Sequence, residues 1–425
     1  MNHRLYLQQV GVLFSATAIA QLINFLAYPL LSRTYDSLAF GYFSIFVSAA
    51  SIVGPLACGR FDIVVQAAPH AQRFAALKLS TLISLPVAAV SAIGYSLYAP
   101  ETQGMAGWLV ALLFGTSVFL IGFTFSGTAF LIKHEAYRHN GMAIVSRSAL
   151  TVIPQLLLFW LMPDARGLII GFCVGVLAQA AVIALGVRRL GLRRATRRHL
   201  GVLARRFSQY PIYDVPSTFL SMFALYAANF FILNLYGAHE VGYFAFAFRL
   251  AALPMALLAG SLSEVFFQKA AKSYQVSGGY WRPLKFNLVV AGGLAVTILI
   301  LTLILAHWAV AIYLGSRWAP VADVLVLLAP MMAARFVFIT IHAAPLVTGR
   351  TGWLLAANAA LAVAMVGVFG LAKWRGLDFE AYLKLSSVSS AIIYLLLVGW
   401  IASTTYRRYR EPSSDQSSLS SAGLG

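Results

Sequence analysis

The chain is 425 residues long, 60% hydrophobic and only 10% charged, with 31 Lys and Arg against 13 Asp and Glu for a formal charge of +18. A soluble globular domain carries about 25% charged residues, so this composition excludes that class and describes a polytopic membrane protein. Cys58 and Cys173 lie far apart inside apolar segments. Two such thiols make neither a disulfide scaffold nor a metal site, and they read as packing residues.

About 20 apolar residues in a helix cross a hydrocarbon core of about 30 Å. Twelve such segments follow one another at 8–31, 39–66, 79–98, 107–131, 141–162, 167–187, 209–235, 240–268, 286–306, 320–347, 352–371 and 381–402. The first is too long and too polar in its middle for a secretory signal, and no small-residue cleavage pattern follows it, so it reads as a retained span. It carries Thr17, Gln21, Asn24 and Tyr28 at spacings of four, three and four, which places them on one helical face. Such a stripe lines a polar cavity or holds neighbouring helices together, and the repeat described next favours the cavity.

Between the first and second spans, Tyr35-Asp-Ser-Leu-Ala-Phe-Gly41-Tyr42-Phe43 recurs as Tyr236-Gly-Ala-His-Glu-Val-Gly242-Tyr243-Phe244, an offset of 201 residues. Thr218 and Asn229 in span seven match Thr17 and Tyr28 at the same offset. Six spans separate the copies, and an even number keeps them in one orientation, so two halves related by a pseudo-twofold axis along the membrane normal are expected. The predicted fold is therefore an all-α membrane protein of twelve transmembrane helices in two six-helix lobes, 1–187 and 209–405, around a central cavity.

In span six, Gly167, Gly171 and Gly175 form a small-residue ridge for close helix packing. The linker 188–208 contains Arg188-Arg189, Arg193-Arg194, Arg197-Arg198 and Arg205-Arg206. It is expected to lie on the membrane surface as a short basic amphipathic helix. In the second half, Pro211, Pro216, Pro254, Pro330 and Pro345 offer kinks. The tail 406–425, Ser-rich from Glu411 onward, is expected to be disordered.

With the N-terminus in the cytoplasm, cytoplasmic loops and tails hold 21 Lys and Arg, outer loops five, and spans the remaining five. This asymmetry places both termini inside. All eight tryptophans fall near span ends and suit the interfacial belts. Basic loops facing anionic lipid headgroups account for most of the excess charge, so nucleic acid is not the expected partner.

Ionisable groups deep in spans carry the functional signal. An Arg at mid-bilayer costs at least ~2.5–3.5 kcal/mol and persists only where it faces protein, water or an anion. Arg249 and Arg335 sit farthest from the interfaces, and neither has an acid close by on its own helix. Their excess positive charge suits an anionic cargo, phosphate above all, because guanidinium matches phosphate oxygens bidentately. Arg60 and Arg147 lie in the inner half with Asp62, Asp214 and Glu264 at comparable depth. These five form either a structural ion-pair network or part of the substrate site, and the three acids are candidates for coupling or gating. His307 and His342 stand alone in the sequence, and Lys384 can snorkel outward. No phosphate-binding loop, metal-ligand spacing, nucleophile elbow or long outer loop occurs, so neither an enzyme nor a cofactor is expected.

Read together, these segments resemble the oligosaccharide (polysaccharide) flippase family of the multidrug, oligosaccharidyl-lipid and polysaccharide exporter superfamily. The resembling pieces are Tyr35 through Phe43, Arg60-Phe61-Asp62, Arg147 and Gly167 to Gly171, then Tyr210-Pro211, Pro216-Ser217, Gly242-Tyr243-Phe244 leading to Arg249 and Pro254, Glu264 to Phe267, and Gly315 to Trp318 before Pro330. The resemblance implies turnover of a polyprenyl-diphosphate-linked oligosaccharide, an O-antigen, exopolysaccharide or capsule unit, from the cytoplasmic to the outer leaflet of a bacterial inner membrane. It also implies polysaccharide polymerases and glycosyltransferases as pathway partners. The additional spans of peptidoglycan-precursor flippases are missing here. A cation-coupled multidrug exporter is the nearest alternative, and a membrane glycan ligase or polymerase a more distant one.

Overall fold

The computed structural model describes residues 3–98, 105–190, 197–348 and 352–410, and every regular element among them is helical. Twelve of the helical stretches are long and apolar enough to cross a membrane. Large apolar side chains cover their outer faces: Val90, Trp160, Ile304 and Trp374 are each more than two-thirds exposed. Apolar surface of that extent belongs in lipid rather than water. The basic stretch at 193–194 and the Ser-rich tail from Glu411 lie outside the described residues.

The helices divide into two compact units, Met1–Ala245 with Tyr313–Trp318, and Phe246–Ile312 with Ala319–Gly425. The first unit contains α1 (His3–Thr34), α2 (Ser37–Ala57), α3 (Phe61–Ala67), α4 (His70–Tyr98), α5 (Gly107–Lys133), α6 (Tyr137–Leu158), α7 (Ala165–Arg189), α8 (Arg197–Arg206), α9 (Val215–Tyr236) and the start of α10 (Ala238–Pro254). Helix α1 buries Ala16, Ala20, Ala27 and Leu31, a small-residue face that packs along α6. Helices α6 and α7 also pack closely. A Cβ on Gly175 would lie 2.7 Å from the Arg147 carbonyl oxygen, and one on Gly171 2.9 Å from that of Thr151. The glycine ridge thus sets the spacing of α6 and α7, as the sequence suggests.

The second span is not one helix over 39–66. It breaks between α2 and α3, where Gly59 and Arg60 both take the left-handed conformation, with φ of 60° and 59°. Glycine enters that region freely, whereas Arg60 does so at a strain of roughly 1–2 kcal/mol. Cys58, placed inside a helix by the sequence, sits fully buried at this break.

Helix α8 presents Leu200 and Leu203 to a core that also contains Phe61, Val64, Leu131 and Ile183. The expected amphipathic helix exists, but its apolar face packs on protein and not on lipid. Trp318 likewise departs from the interfacial belt. It is 1% exposed and its indole N–H donates to the Ser32 carbonyl at 2.7 Å.

The two copies of the repeated motif meet inside this unit. A Cβ on Gly41 would lie 2.7 Å from the carbonyl carbon of Ala238, and one on Gly242 2.8 Å from that of Ser37. Position 41 corresponds to 242 and 37 to 238, so the contact is reciprocal, as a pseudo-twofold axis requires. Ser37 Oγ bonds His239 Nδ1 at 2.8 Å, and Asp36 caps α2 through the Ala39 N–H at 2.8 Å. The segment Tyr313–Trp318 closes over the same region, with Ser32 Oγ donating to the Leu314 carbonyl at 3.0 Å.

Tyr35, fully buried at the start of the motif, donates its phenol to the Gln155 carbonyl at 2.6 Å. Burial, aided by Asp164, raises its pKa well above the ordinary value, so it stays a neutral donor. Tyr35→Phe leaves that carbonyl buried without its donor, and a loss of about 1–3 kcal/mol is expected, read as a lower thermal-unfolding midpoint of the purified protein.

The second unit holds the rest of α10 from Phe246, then α11 (Gly260–Ser277), most of α12 (Trp281–Tyr313), α13 (Pro320–Ile341), α14 (Gly352–Arg375) and α15 (Phe379–Arg410). A π-helical turn, Met255–Ala259, follows Pro254 directly and separates α10 from α11, so the eighth span too is interrupted. A second π-helical turn, Tyr210–Asp214, contains Pro211 and precedes α9 in the first unit. Pro330 stays within a continuous α13, where the next N–H, of Met331, donates to Ser387 Oγ of α15 at 3.3 Å. Asn287 of α12 donates to Thr340 Oγ1 of α13 at 3.0 Å. Phe266, Leu284, Ile341 and Ile401 form a core among α11, α12, α13 and α15.

Candidate functional site

Four arginines inside the membrane region are the functional candidates, and their surroundings differ. Arg147 projects from α6 onto α7, where Nη1 donates to Gln179 Oε1 at 3.0 Å and the guanidinium lies 5.7 Å from the Phe172 ring centroid. The α6–α7 approach at Gly175 explains this placement. Gln179 follows one turn beyond that glycine and Phe172 precedes it by nearly one. Among the described residues no carboxylate stands within ion-pair distance of Arg147. A ring face and an amide oxygen stabilise a guanidinium by about 0.5–2 kcal/mol and about 1.5–3 kcal/mol respectively, and neither neutralises it.

Arg335 in α13 has the same character in the second unit. Its guanidinium lies 5.4 Å from the centroid of Phe248, and no carboxylate pairs with it among the described residues. Phe248 immediately precedes Arg249 in α10, so the ring that Arg335 faces is the sequence neighbour of the other deep arginine of this unit. Both side chains are half-buried.

Arg60 is different. Its Nη1 lies 3.5 Å from Asp62 Oδ2, and Cys58 Sγ lies 3.5 Å from the other oxygen of that carboxylate. Arg60 thus has an ion-pair partner, which Arg147 and Arg335 lack among the described residues. Asp214 and Glu264 do not join it. Asp214 is half-buried in the π-helical turn before α9, Glu264 is exposed on α11, and neither forms an ion pair among the described residues. The proposed five-member network thus reduces to Arg60 and Asp62.

The polar stripe on α1 divides similarly. Thr17 is exposed and turns back on its own helix, donating to the Leu13 carbonyl at 2.9 Å. Gln21 and Asn24 are half-buried, with no side-chain hydrogen-bond partner among the described residues, as is Thr218 on α9. An amide inside a membrane protein without a protein partner needs water or a ligand. Tyr28 lies near Tyr313, whose ring stacks on Phe25 at 4.8 Å.

Asn229 is held between two helices. It is 8% exposed and its Nδ2 donates to Ser48 Oγ on α2 at 2.8 Å, so it joins α2 to α9. His307, isolated in the sequence, pairs with Asp323 at 2.9 Å, sixteen residues on. Among the described residues, no group of three His, Cys, Asp or Glu is arranged to hold a metal.

The chain shares its fold with membrane transporters of known structure. It is similar to the lipid II flippase MurJ in an inward closed conformation, with 14% identity, a TM-score of 0.71, and 91% of this chain and 86% of that one covered. It is also similar to an inward-facing multidrug resistance MATE family transporter, at 14% identity and a TM-score of 0.62 over 93% and 96% of the chains. A MOP superfamily transporter from Pyrococcus furiosus matches at 13% identity and a TM-score of 0.57 over 94% and 95%. At these identities the fold is what is shared. No curated protein matches the sequence. A family model described as polysaccharide biosynthesis protein matches residues 76–323, more than half of the chain. The chain, a twelve-span helical membrane protein, belongs to this polysaccharide biosynthesis family.

Proposed function

We propose that this protein flips a polyprenyl-diphosphate-linked oligosaccharide from the cytoplasmic to the outer leaflet of a bacterial inner membrane by alternating access, with both termini in the cytoplasm. The observation that carries this reading is Arg147, a guanidinium deep in the helical region of the first unit, stacked on an aromatic ring with no carboxylate to neutralise it among the described residues; Arg335 has the same surroundings within the second unit. A diphosphate supplies the missing negative charge, and Gln21, Asn24 and Thr218 supply polar lining for sugar hydroxyls. The sugar and its pathway, together with any polymerase or glycosyltransferase partners, follow from the cargo.

One observation favours a second reading. Asp214 and Glu264 lack ion-pair partners among the described residues, which leaves both carboxylates as candidate coupling groups. That suits a coupled exporter, of lipid-linked sugar or of cationic drugs.

The separating experiment uses Arg249→Ala and Arg335→Ala in cells that make a surface polysaccharide. Both variants are expected to insert normally while export stops and lipid-linked units accumulate in the cytoplasmic leaflet. Unchanged polysaccharide export, with loss of drug resistance in Asp214→Asn or Glu264→Gln, would replace this reading with the drug exporter.

A further inference from the structure

A groove of about 950 Å³ runs along α1 and α6 in the first unit, with Val12, Ser15, Ile19, Arg138, Met142 and Ser146 on its walls. Its polar hydroxyls are spent within their own helices. Ser15 Oγ donates to the Gly11 carbonyl at 2.7 Å and Ser146 Oγ to that of Ala143 at 3.0 Å, so what faces the groove is apolar. Arg138 stands in the first turn of α6, exposed, with no carboxylate in ion-pair range among the described residues. An apolar trough that ends at one unpaired guanidinium has the charge pattern of a lipid chain leading to a phosphate.

Helical geometry separates this groove from the cargo site. Nine residues, or two and a half turns, lie between Arg138 and Arg147, so the two arginines face opposite sides of α6. On α1, Val12, Ser15 and Ile19 likewise lie roughly half a turn around the axis from Thr17, Gln21 and Asn24. Gly141 closes the space between the helices, where a Cβ would lie 3.1 Å from that of Ala16. A diphosphate held on Arg147 therefore lies across α6 from this groove.

We infer that the groove is a docking site for an anionic phospholipid of the surrounding bilayer, with acyl chain against Val12, Ile19 and Met142 and phosphate on Arg138. A bound lipid of this kind splints α1 to α6 along its outward side, where Met142 is otherwise 61% exposed.

Native mass spectrometry of the full chain, offered phosphatidylglycerol and phosphatidylcholine of identical acyl composition, tests the assignment. The wild type is expected to retain one phosphatidylglycerol in preference. Arg138→Ala is expected to lower that retention about five-fold, to the phosphatidylcholine level, as one basic residue near an anionic lipid commands. Ser15→Trp is expected to fill the trough and to lose both lipids, and Met142→Trp repeats the block from the facing helix where Ser15→Trp fails to insert. Phosphatidylglycerol retention equal to wild type in Arg138→Ala and in a trough-filled variant would overturn the site. Preferential retention of undecaprenyl diphosphate, lost on filling the trough, would assign the groove to the cargo and overturn the inference in its other half. Because lipid retention is read without transport, failure here leaves the flippase reading untouched, and failure of that reading leaves the groove in place.

Discussion

Gly242→Val is expected to abolish polysaccharide export while the protein still inserts and folds, and Gly41→Val to do the same. At each glycine any side chain meets the backbone of the other motif copy: the Ala238 carbonyl for Gly41 and the Ser37 carbonyl for Gly242. A backbone carbonyl fixed in a helix cannot turn aside as a side chain can, so the ends of α2 and α10 must separate. On the proposed topology these are the outer ends, and their contact closes the outer side. Overpacking typically costs about 1–3 kcal/mol, and here that penalty falls only on the closed arrangement. A differential of 3 kcal/mol shifts a two-state population by roughly 100-fold, enough to strand the protein outer-side open. Spin labels at Asp36 and His239, in a background with Cys58 and Cys173 replaced by Ala, report the separation. A short distance in wild type and a longer one in Gly242→Val support a gate. An unchanged distance with normal export would make this a dispensable contact, and unfolding of even the Gly→Ala versions would make it a static core contact.

The reciprocal glycine contact also shows what the sequence could and could not reveal. The repeat, its offset and its two glycines are visible in the chain because duplication leaves matching residues at matching distances. Twelve spans are equally visible, since length and apolarity suffice to specify them. The breaks are less so. Pro254 signals an interruption, and a π-helical turn follows it, but the end of α2 depends on Gly59 and on a left-handed Arg60, which no apolar period forecasts. Depth in the spans singles out the arginines, but nothing local signals their partners. Arg60 finds Asp62 two residues away only because the helix breaks between α2 and α3. Gln179, which orients Arg147, is 32 residues distant, and its one local signal is that it continues the Gly171 and Gly175 face of α7. Asn229 shows the limit of equivalence by repeat, for it matches Tyr28 in register, yet its partner Ser48 lies 181 residues away and no spacing in the sequence announces it.

Arg147→Ala is expected to reduce flipping below detection, and the neighbouring substitutions show whether charge or shape is responsible. The guanidinium is held by Gln179 on one side and by the Phe172 face near it, which leaves donor edges uncommitted. A charged hydrogen bond to phosphate is worth about 1.5–3 kcal/mol, so losing a bidentate pair costs upwards of roughly 100-fold in cargo affinity. Arg147→Lys keeps the charge but not the fork and is expected to retain a small fraction of activity. Arg147→Gln keeps a polar side chain but offers no charge, and is expected to be as inactive as the alanine variant. Gln179→Leu leaves the arginine charged but unoriented, and is expected to fall between lysine and wild type. Flipping of a fluorescent polyprenyl-diphosphate oligosaccharide in vesicles of purified protein measures all four, with thermal unfolding run in parallel. Activity in Arg147→Gln close to wild type would show that the side chain only bridges α6 to α7, and the diphosphate would then have to be sought at Arg335 and Arg249 alone. Inactivity of Arg147→Gln beside residual activity in Arg147→Lys, both as stable as wild type, would leave charge as the quantity lost, because lysine keeps the charge and glutamine does not.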